Sequence, residues 1–358
     1  MTRVRKMELP PEPHPWGTPL PGVREPDIDF DPKHYVCQRA QHPFKIDGRL
    51  DKLFWEVAPW SEDFVDIEGE HKPKPTKRTR FKMLWDDNYL YIGAELEEDQ
   101  IWATLTERDS ELYFENDFEI FIDPDGDTQN YYELEINALN TIWDLLLPRP
   151  YRDGGCRINA WDMRGIQTAV HVKGEVNNPY ADNRGWSLEV AMPLSALKEC
   201  ARDGRPPSVG DVWRLNFLRV NWQLKVVDGR YEKVIGPKTG KPLPECNWTW
   251  SPMGIVNMHY PELWGYLLFA DGSTQFILHP DEQAKWELRR LFYRQRNYKW
   301  EHGHFCSDFE LLKGKGKWTI TPHLEATTSL FQAYVVSQDG KYSINIREDG
   351  RVWEEYRG

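Results

Sequence analysis

Two neighbouring segments of alternating apolar and polar residues constrain the fold of this chain more than any other feature. The first runs from Asp117 to Asp123 and the second from Tyr131 to Asn137, with an acidic turn between them. Successive side chains of a β-strand point to opposite faces, so the pattern predicts two strands that pair as a hairpin. The apolar face of this hairpin consists of Phe118, Ile120, Ile122, Tyr132, Leu134, Ile136 and Ala138.

The opposite face of the hairpin is rich in carboxylates and carries no lysine or arginine. Its members are Asp117, Glu119, Phe121, Asp123, Tyr131, Glu133, Glu135 and Asn137. A solvated strand face usually mixes charges of both signs, since like charges on neighbouring strands repel each other. We therefore expect this face to have a partner: a cation, a network of sugar hydroxyl groups or a proton-transfer task.

Length and composition limit the classes of protein that fit. The chain has 358 residues, enough for one large domain with a smaller one, or for two domains. It contains 17 tryptophans and 13% aromatic residues, and rings beyond the needs of a core often form flat contact surfaces. The net charge of −12 disfavours nucleic acid or an anionic membrane as the main partner. It fits a neutral or cationic ligand, or a bound metal.

Cysteines and targeting signals add little. The five cysteines are scattered and suggest neither a zinc site nor a disulfide framework. No segment has the length and hydropathy of a membrane span. The basic N-terminus, residues 1–6, is followed by no apolar run, so it is not a secretory signal as written. We expect a cytoplasmic protein, or a secreted or periplasmic one if a leader has been removed.

Three regions are predicted along the chain. Residues 1–32 are rich in proline and form an N-terminal arm. Residues 33–270 contain many short strands with turn signals and almost no long helix, which predicts a mainly β fold, an antiparallel β-sandwich of jelly-roll type. Within it, the Lys-, Pro- and Gly-rich segment 229–247 is predicted to be a long loop. Residues 271–358 form a small α+β extension, with a helix from Asp281 to about Trp300 and a short β-meander.

An ordered set of short motifs resembles the family 9 carbohydrate-binding modules. The resemblance covers roughly residues 35–270. The motifs are Ile46-Asp47-Gly48-x-Leu50-Asp51-x-x-x-Trp55, Leu84-Trp85-Asp86-Asp87-Asn88-Tyr89-Leu90-Tyr91, Glu115-Asn116-Asp117-x-Glu119-Ile120-Phe121-Ile122-Asp123, Gly185-Trp186-x-Leu188-Glu189-x-Ala191, Gly210-Asp211-x-x-Arg214-x-Asn216, Trp250-Ser251-Pro252 and Pro261-x-x-Trp264-Gly265. The resemblance implies a β-sandwich, calcium in some members, and sugar held on one face by rings and polar groups. Such modules occur in xylan-degrading enzymes and as stand-alone proteins.

The resemblance also assigns individual positions of a sugar site. Phe114 stands where xylanase-linked members have one Trp of an aromatic clamp, with Tyr113 beside it. Glu119 matches a Glu that hydrogen-bonds sugar hydroxyls, and Asn137 matches a family Asn. Glu135 replaces the family's Arg.

The second clamp Trp has no counterpart in this sequence, and Met258 or His259 falls near its place. The pattern from Asn137 to Asp144 and from Asn257 to Glu262 is closer to a stand-alone branch of the family. These departures remove a cation and a ring and add a carboxylate, so the ligand need not be bound as in the xylanase-linked members.

Sugar recognition needs flat rings for C–H faces and polar groups for hydroxyls. The candidate rings are Tyr113, Phe114, Trp143, Trp222, Trp248 and Trp250. The candidate polar groups are Asp117, Glu119, Glu135, Asn137, Asn140 and His259. A core position is equally compatible with Trp143 and Trp250, and Asp117 could instead tie down a neighbouring loop.

Two other function classes remain open at this point. Glu119 with Glu133 or Glu135 on adjacent strands could lie at the separation that glycoside cleavage requires. His259 could then serve as acid or base, and clustered like charges would raise one carboxyl pKa. Alternatively, the protein is a structural or interaction protein. A basic patch on the C-terminal helix would then contact the partner, and it consists of Arg289, Arg290, Arg294 and Arg296.

The turn between the two strands of the hairpin is a candidate calcium site. Asp123, Asp125 and Asp127 place three carboxylates within one turn. Calcium takes six to eight oxygen ligands and often binds such turns, although the spacing is not that of an EF-hand. We therefore expect a carbohydrate-binding protein with calcium as a candidate cofactor, and the sequence leaves the sugar and the oligomeric state open.

Overall fold

The computed structural model describes residues 20–42, 44–314 and 317–358. Most of the predicted N-terminal arm therefore lies outside the described residues. The strands of the main domain are β1 (His34–Arg39), β2 (Val65–Asp66), β3 (Thr79–Trp85), β4 (Tyr89–Glu97), β5 (Asp117–Asp123), β6 (Tyr131–Asn137), β7 (Ile142–Leu147), β8 (Gln167–Lys173), β9 (Gly185–Pro193), β10 (Val212–Asn221), β11 (Leu224–Val227), β12 (Arg230–Lys233), β13 (Cys246–Thr249) and β14 (Gly265–Ala270). Its short helices are α1 (Leu53–Glu56) and α2 (Leu194–Leu197).

The C-terminal extension has its own helices and sheet. The helices are α3 (Glu282–His302) and α4 (Phe309–Lys313). The strands β15 (His323–Ala326), β16 (Phe331–Val336), β17 (Tyr342–Arg347) and β18 (Val352–Tyr356) pair in sequence order as an antiparallel meander. None of the helices in the described ranges is both long and apolar enough to cross a membrane.

One large sheet forms the main domain, in the order β7-β6-β5-β10-β14-β1-β3-β4-β9-β8. β13 pairs with β10 and carries β2 at its other edge. All neighbours are antiparallel except β1, which runs parallel to both β14 and β3. The prediction of a mainly β sandwich is confirmed, with β1 as a parallel strand at its centre.

The two halves of this sheet face each other across a common core. Phe81 of β3 and Phe217 of β10 have ring centroids 4.1 Å apart, and Phe118 of β5 lies 5.6 Å from Phe217. The apolar face predicted for the hairpin is buried in this core. Burying such side chains contributes roughly 1.5–3 kcal/mol each, so the alternating pattern fixes which face of β5 and β6 points inward.

The opposite face of the hairpin is also covered, which the alternating pattern did not predict. Phe121 and Tyr131 on this face belong to a second apolar cluster, together with Trp264 and with Phe292 of α3. The second cluster joins the C-terminal extension to the sandwich. The acidic face is therefore enclosed between the sheet and a second layer of chain.

The described end of the N-terminal arm is fastened to α3. The backbone N–H of Val23 donates to Asn297 Oδ1 at 2.7 Å, and Asn297 Nδ2 donates to the Val23 carbonyl at 2.9 Å. The ring of Phe30 stacks on that of Trp286 at 5.5 Å. The arm thus lies between the helix and the sandwich.

The arginines of α3 are engaged within the chain, so the basic patch predicted for a partner is wrong. Arg290 and Arg294 form ion pairs with Glu25 of the arm, at 2.7 and 3.1 Å. Arg289 and Arg296 are buried. Arg289 donates to the Asp127 carbonyl at 2.9 Å, and Arg296 pairs with Asp153 at 2.8 Å. These side chains hold the extension, the arm and the sandwich together.

The segment 229–247 was predicted to be a long loop, and this prediction is wrong. The segment contributes to two strand pairings. Val226 of β11 pairs with Tyr231 of β12 in a hairpin. Cys246 at the start of β13 pairs with Asn221 of β10. The high content of Lys, Pro and Gly concealed these short strands.

Candidate functional site

Strand register brings three carboxylates of the acidic face together. Glu119 of β5 lies directly opposite Glu135 of β6, and Asp117 lies two residues before Glu119 on the same face. One carboxylate oxygen from each residue lies within 4.8 Å of the other two. Asp117 and Glu135 are 1% exposed and Glu119 is 4% exposed. We call these three residues the carboxylate cluster.

The strands that flank the carboxylate cluster bring no positive charge to it. On β10, Leu218 lies opposite Glu119 and Val220 lies opposite Asp117. The basic residue between them, Arg219, points to the other face and donates to Glu98 at 2.9 Å. On the other side, β7 places Trp143 opposite Glu135. The cluster therefore has apolar and aromatic neighbours on both flanks.

Asp117 is the least satisfied member of the cluster. Among the described residues, neither of its carboxylate oxygens has a hydrogen-bond donor. The alternative that Asp117 ties down a neighbouring loop is therefore wrong. Most buried polar groups are hydrogen-bonded, and a buried one left unpaired costs roughly 1–3 kcal/mol, more if it is charged. This carboxylate needs a proton or a cation.

Burial and mutual repulsion raise the pKa of the clustered carboxyl groups. Burial raises the pKa of Glu119 and Glu135 well above its ordinary value, and neighbouring carboxylates raise it further. Burial likewise raises the pKa of Asp117 well above its ordinary value, and the nearby carboxylates of Glu115 and Glu133 add to the rise. Beside them, burial raises the pKa of Glu133 to about 8, opposed by hydrogen bonding with Glu135 and by Arg157. The site takes up positive charge readily, as protons or as an ion.

A short 3₁₀-helix, Leu112–Phe114, places two aromatic rings beside the cluster. The backbone N–H of Tyr113 donates to Glu135 Oε2 at 3.0 Å, which fixes this turn to the carboxylates. The Tyr113 and Phe114 rings have centroids 4.4 Å apart, and the Phe114 side chain is 51% exposed. Trp143 continues the row inward, 6.1 Å from Tyr113. The rings therefore lead from solvent to the buried acids.

Trp222 is attached to the same aromatic turn. Its indole Nε1 donates to the Tyr113 carbonyl at 3.0 Å, and its backbone N–H donates to Asn116 Oδ1 at 2.7 Å. Lys233 Nζ lies 3.3 Å from the centroid of the Trp222 ring. The structure thus brings Tyr113, Phe114 and Trp222 together.

Sequence reasoning missed several residues around the site. Lys233 lies on a strand within the segment predicted to be a loop. Arg157, whose guanidinium lies 5.1 Å from the Trp143 ring centroid, and Tyr151 come from a segment without periodicity. Burial raises the pKa of Tyr151, and Glu133 raises it further. The positive charge of Lys233 and Arg157 was the one available signal, because lysines and arginines are candidate neighbours of an acidic face.

Two predicted polar contacts have other roles. Asn137 is fully buried, and its amide donates to the Leu105 carbonyl and to Glu115 Oε1, at 2.8 and 2.7 Å. Its Oδ1 accepts from the backbone N–H groups of Leu139 and Thr141, both at 3.0 Å. Asn137 therefore uses its hydrogen-bonding capacity to fix the turn after β6, and it is not free for a sugar.

Asn140 lies in that turn, away from the aromatic row. It adopts a left-handed backbone conformation with φ of 63°, which asparagine tolerates better than most residues. Its side chain is exposed and borders a groove with Arg108 and Thr168. The structure does not bring Asn140 to the carboxylate cluster.

Two predicted rings belong to the sandwich core. Trp250 is fully buried, and its Nε1 donates to Glu62 at 2.9 Å. Trp248 is buried beneath Arg219, whose guanidinium lies 5.1 Å from its ring centroid. Because both rings are packed in the core, neither is available to a ligand, and their selection as sugar contacts is wrong.

His259 is held among aromatic side chains. Its Nδ1 lies 2.8 Å from the Tyr131 hydroxyl, and its ring centroid lies 4.5 Å from that of Tyr151. Burial, together with Arg152, lowers the pKa of His259 to about 3. A ring that stays neutral at physiological pH does not suit the acid role considered for it. Met258 beside it is buried.

The acidic turn between β5 and β6 is closed largely by its own hydrogen bonds. Asp123 accepts from the backbone N–H groups of Gly126 and Thr128, at 3.0 and 2.9 Å. Asp127 pairs with Arg351 of the C-terminal extension at 2.9 Å. Burial raises the pKa of Asp125 to about 6, and Asp127 adds to the rise. Oxygens from Asp123, Asp125 and Asp127 lie within 4.8 Å of one another, and calcium at this turn stays a prediction.

Fold and site together define a β-sandwich with an aromatic, acidic site on one face. Residues 46–204 match the family described as "Carbohydrate family 9 binding domain-like". Residues 46–204 are therefore similar to this family, and the resemblance found in the sequence motifs is confirmed over that segment. The matched residues include β5 and β6 and the aromatic turn.

Curated relatives match a shorter stretch. Endo-1,4-beta-xylanase A of Thermoanaerobacterium saccharolyticum is 24% identical over 152 residues, which is 42% of this chain and 11% of that protein. Endo-1,4-beta-xylanase C of Paenibacillus barcinonensis is 29% identical over 106 residues, 30% of this chain and 9% of that protein. The chain thus spans about a tenth of the length of these relatives.

Two solved structures align with about two thirds of this chain. One is a family 9 carbohydrate-binding module from Caldicellulosiruptor kristjanssonii in complex with cellotriose, with a TM-score of 0.42 and 18% identity. It covers 69% of this chain and 98% of that chain. Another is a putative carbohydrate-binding protein from Bacteroides uniformis, with a TM-score of 0.48, 16% identity, and coverage of 67% of this chain and 100% of that chain.

Proposed function

We propose that this protein binds carbohydrate at the aromatic turn beside the carboxylate cluster. One observation carries the proposal: the hydrogen bond from Tyr113 N to Glu135 fixes a half-exposed ring, Phe114, beside the buried carboxylate cluster, in which Asp117 has no hydrogen-bond donor among the described residues. An apolar face next to unused acceptors suits a sugar, which has C–H faces and hydroxyl donors. The site lies within the residues that match the carbohydrate-binding family.

The proposed contacts divide by chemistry. Phe114, Tyr113 and Trp222 offer ring faces for sugar C–H groups. Glu119, the residue that the resemblance assigns to hydroxyl binding, offers carboxylate oxygens as acceptors. Glu135 in place of the family's Arg removes a donor and adds an acceptor. We therefore propose a ligand that presents hydroxyl donors to the site and is not held by the charge pattern of the xylanase-linked members.

Plant-type polysaccharide fragments are the ligand class that we propose. Two curated relatives carry the name endo-1,4-beta-xylanase, so β-1,4-linked xylo-oligosaccharides are the first ligands to test. Because these relatives are named as xylanases, we also propose that the protein is a binding component associated with glycoside hydrolases.

Binding is favoured over glycoside cleavage by the arrangement of the carboxylates. A retaining enzyme needs an ionised nucleophile about 5–5.5 Å from a protonated acid, with the glycosidic bond between them. Here Glu119 and Glu135 share a buried cluster with Asp117, and burial raises the pKa of all three. This arrangement disfavours an ionised nucleophile at neutral pH. Glu133, His259 and the cluster therefore support no catalytic assignment.

Calorimetric titration with xylo- and cello-oligosaccharides tests the proposal. Phe114→Ala removes the exposed ring and should weaken binding about tenfold, the equivalent of about 1.4 kcal/mol. Glu119→Ala should weaken it further, because hydroxyl acceptors are lost. Tyr356→Ala is the matched control, since it removes a ring that is 65% exposed on β18 of the C-terminal sheet.

The expected pattern is weaker binding by the two site variants and unchanged binding by the control. The proposal fails if no oligosaccharide binds, or if Phe114→Ala and Tyr356→Ala bind equally well. Incubation with the same oligosaccharides and assay of new reducing ends separates binding from cleavage. Turnover that Glu119→Gln abolishes in a folded protein would contradict the assignment as a binding protein.

A further inference from the structure

We propose that Asp117, Glu119 and Glu135 form a calcium site at the base of the aromatic row. This site is distinct from the turn of Asp123, Asp125 and Asp127, for which the sequence predicted calcium. It rests on the geometry of the carboxylate cluster and on the unsatisfied oxygens of Asp117. It does not depend on sugar binding.

The spacing of the oxygens fits calcium. Calcium binds oxygen at about 2.3–2.6 Å, so two ligands on opposite sides of the ion lie up to about 5 Å apart. The three cluster oxygens lie within 4.8 Å of one another, inside this limit. Magnesium demands near-ideal octahedral geometry, keeps several waters and usually takes only one or two carboxylates, whereas calcium accepts several carboxylates in a flexible shell. Three protein carboxylates at one site therefore favour the larger ion.

Asp117 supplies the independent indication of a ligand. It is 1% exposed, and neither of its oxygens has a donor among the described residues. Its backbone neighbours across the strands, Asn137 and Val220, do not neutralise it: the first is committed to a turn, and the second is apolar. A carboxylate so placed points to a cation, because burial of an unpaired charge is costly.

The charged side chains that act on Glu119 do not neutralise the cluster. The neighbours that act on Glu119 are Asp117, Glu133 and Glu245, all acidic. Two basic groups of the surrounding site are engaged with rings: Lys233 lies over Trp222, and Arg157 lies over Trp143. Three carboxylates give three to six oxygens, and calcium takes six to eight, so water completes the shell.

A small ion fits the burial of the cluster, whose residues are at most 4% exposed. Shared protons are the competing way to neutralise the cluster, and the experiment below distinguishes the two.

Metal titration of the full chain, stripped with a chelator and free of sugar, tests the proposal. Calcium chloride is added and binding is followed by calorimetry, up to about 1 mM, the range of weak extracellular calcium sites. Asp117→Asn should weaken calcium binding at least tenfold. The matched control is Asp125→Asn, which changes the same residue type in the other acidic cluster and should leave this binding event intact.

Terbium luminescence gives a second readout that does not depend on the folding of Asp117→Asn. Trp143 lies opposite Glu135 and can sensitise terbium bound at the cluster. Trp143→Phe should lower the sensitised emission several-fold while calcium still displaces the terbium. Displacement by calcium at concentrations where magnesium fails to displace supports the assignment.

Three results would overturn the calcium site. The first is the absence of calcium binding across the titration, which would leave shared protons as the way the cluster is neutralised. The second is calcium binding that Asp125→Asn abolishes and Asp117→Asn leaves unchanged. The third is terbium emission unaffected by Trp143→Phe. Since no sugar is present, failure of the calcium site and failure of carbohydrate binding remain distinguishable.

Discussion

Glu133 offers a direct test of how strongly the acidic face is buried. Its carboxyl group is next to Glu135, and burial raises its pKa from 4.5 to about 8. Because the folded-state pKa lies above the unfolded value, Glu133 stabilises the fold fully below about pH 4.5, and this contribution is lost as the pH rises toward 8. At about 1.4 kcal/mol per pKa unit, the loss between pH 5 and pH 7 is about 2 kcal/mol. Glu133→Gln keeps the shape and removes the titration.

Urea unfolding of the wild type and Glu133→Gln at pH 5, 6, 7 and 8, with chelator present, measures this effect. Between pH 5 and pH 7, the free energy of unfolding of the wild type should fall by about 2 kcal/mol relative to that of the variant. Glu355→Gln, at an exposed position of β18, is the control and should show no such trend. A constant difference between wild type and Glu133→Gln across this range would refute the reasoning.

Three further changes probe other parts of the molecule. The wild type should lose about 1–2 kcal/mol of stability at His259 from pH 7 to pH 5, because the unfolded ring binds a proton there and the folded ring, with a pKa of about 3, does not. His259→Gln should remove this loss, and equal pH profiles of the unfolding free energy would contradict the prediction. Asn137→Ala should lower the free energy of unfolding by about 3 kcal/mol through lost buried hydrogen bonds, measured by urea unfolding, whereas the exposed Asn159→Ala should change it little. Glu25→Ala should expose the arm to limited proteolysis, with a stability loss below about 1 kcal/mol; an unchanged digestion pattern would count against fastening by Arg290 and Arg294.

The strands were predictable where alternation was strong. Phe118, Ile120 and Ile122 repeat every second residue, and a period of two leaves little choice of structure or of inward face. The strand pairing of Cys246 with Asn221 was not predictable, because β13 is short and follows a segment rich in turn-forming residues. Long-range pairing, not local preference, makes it a strand.

The site was predicted in part, for a comparable reason. Alternation placed Asp117, Glu119 and Glu135 on one face, and register then brought their oxygens together. The burial of that face depends on residues far along the chain, such as Trp264 and Phe292, which no local pattern connects with it. Solvent-facing and enclosed acidic residues have the same sequence pattern. The burial of this face could therefore be recognised only from the structure.

The strand order of the main sheet has a consequence for any attempt to isolate the binding module. The family match covers residues 46–204, which include β3, β4, β8 and β9 on one side and β5, β6 and β7 on the other. The strands that join these two groups, β10, β14 and β1, all lie outside the match. A fragment excised at the homology boundaries would hold two separate half-sheets with open edges, prone to aggregate. An autonomous module must therefore begin before His34 and extend through Ala270.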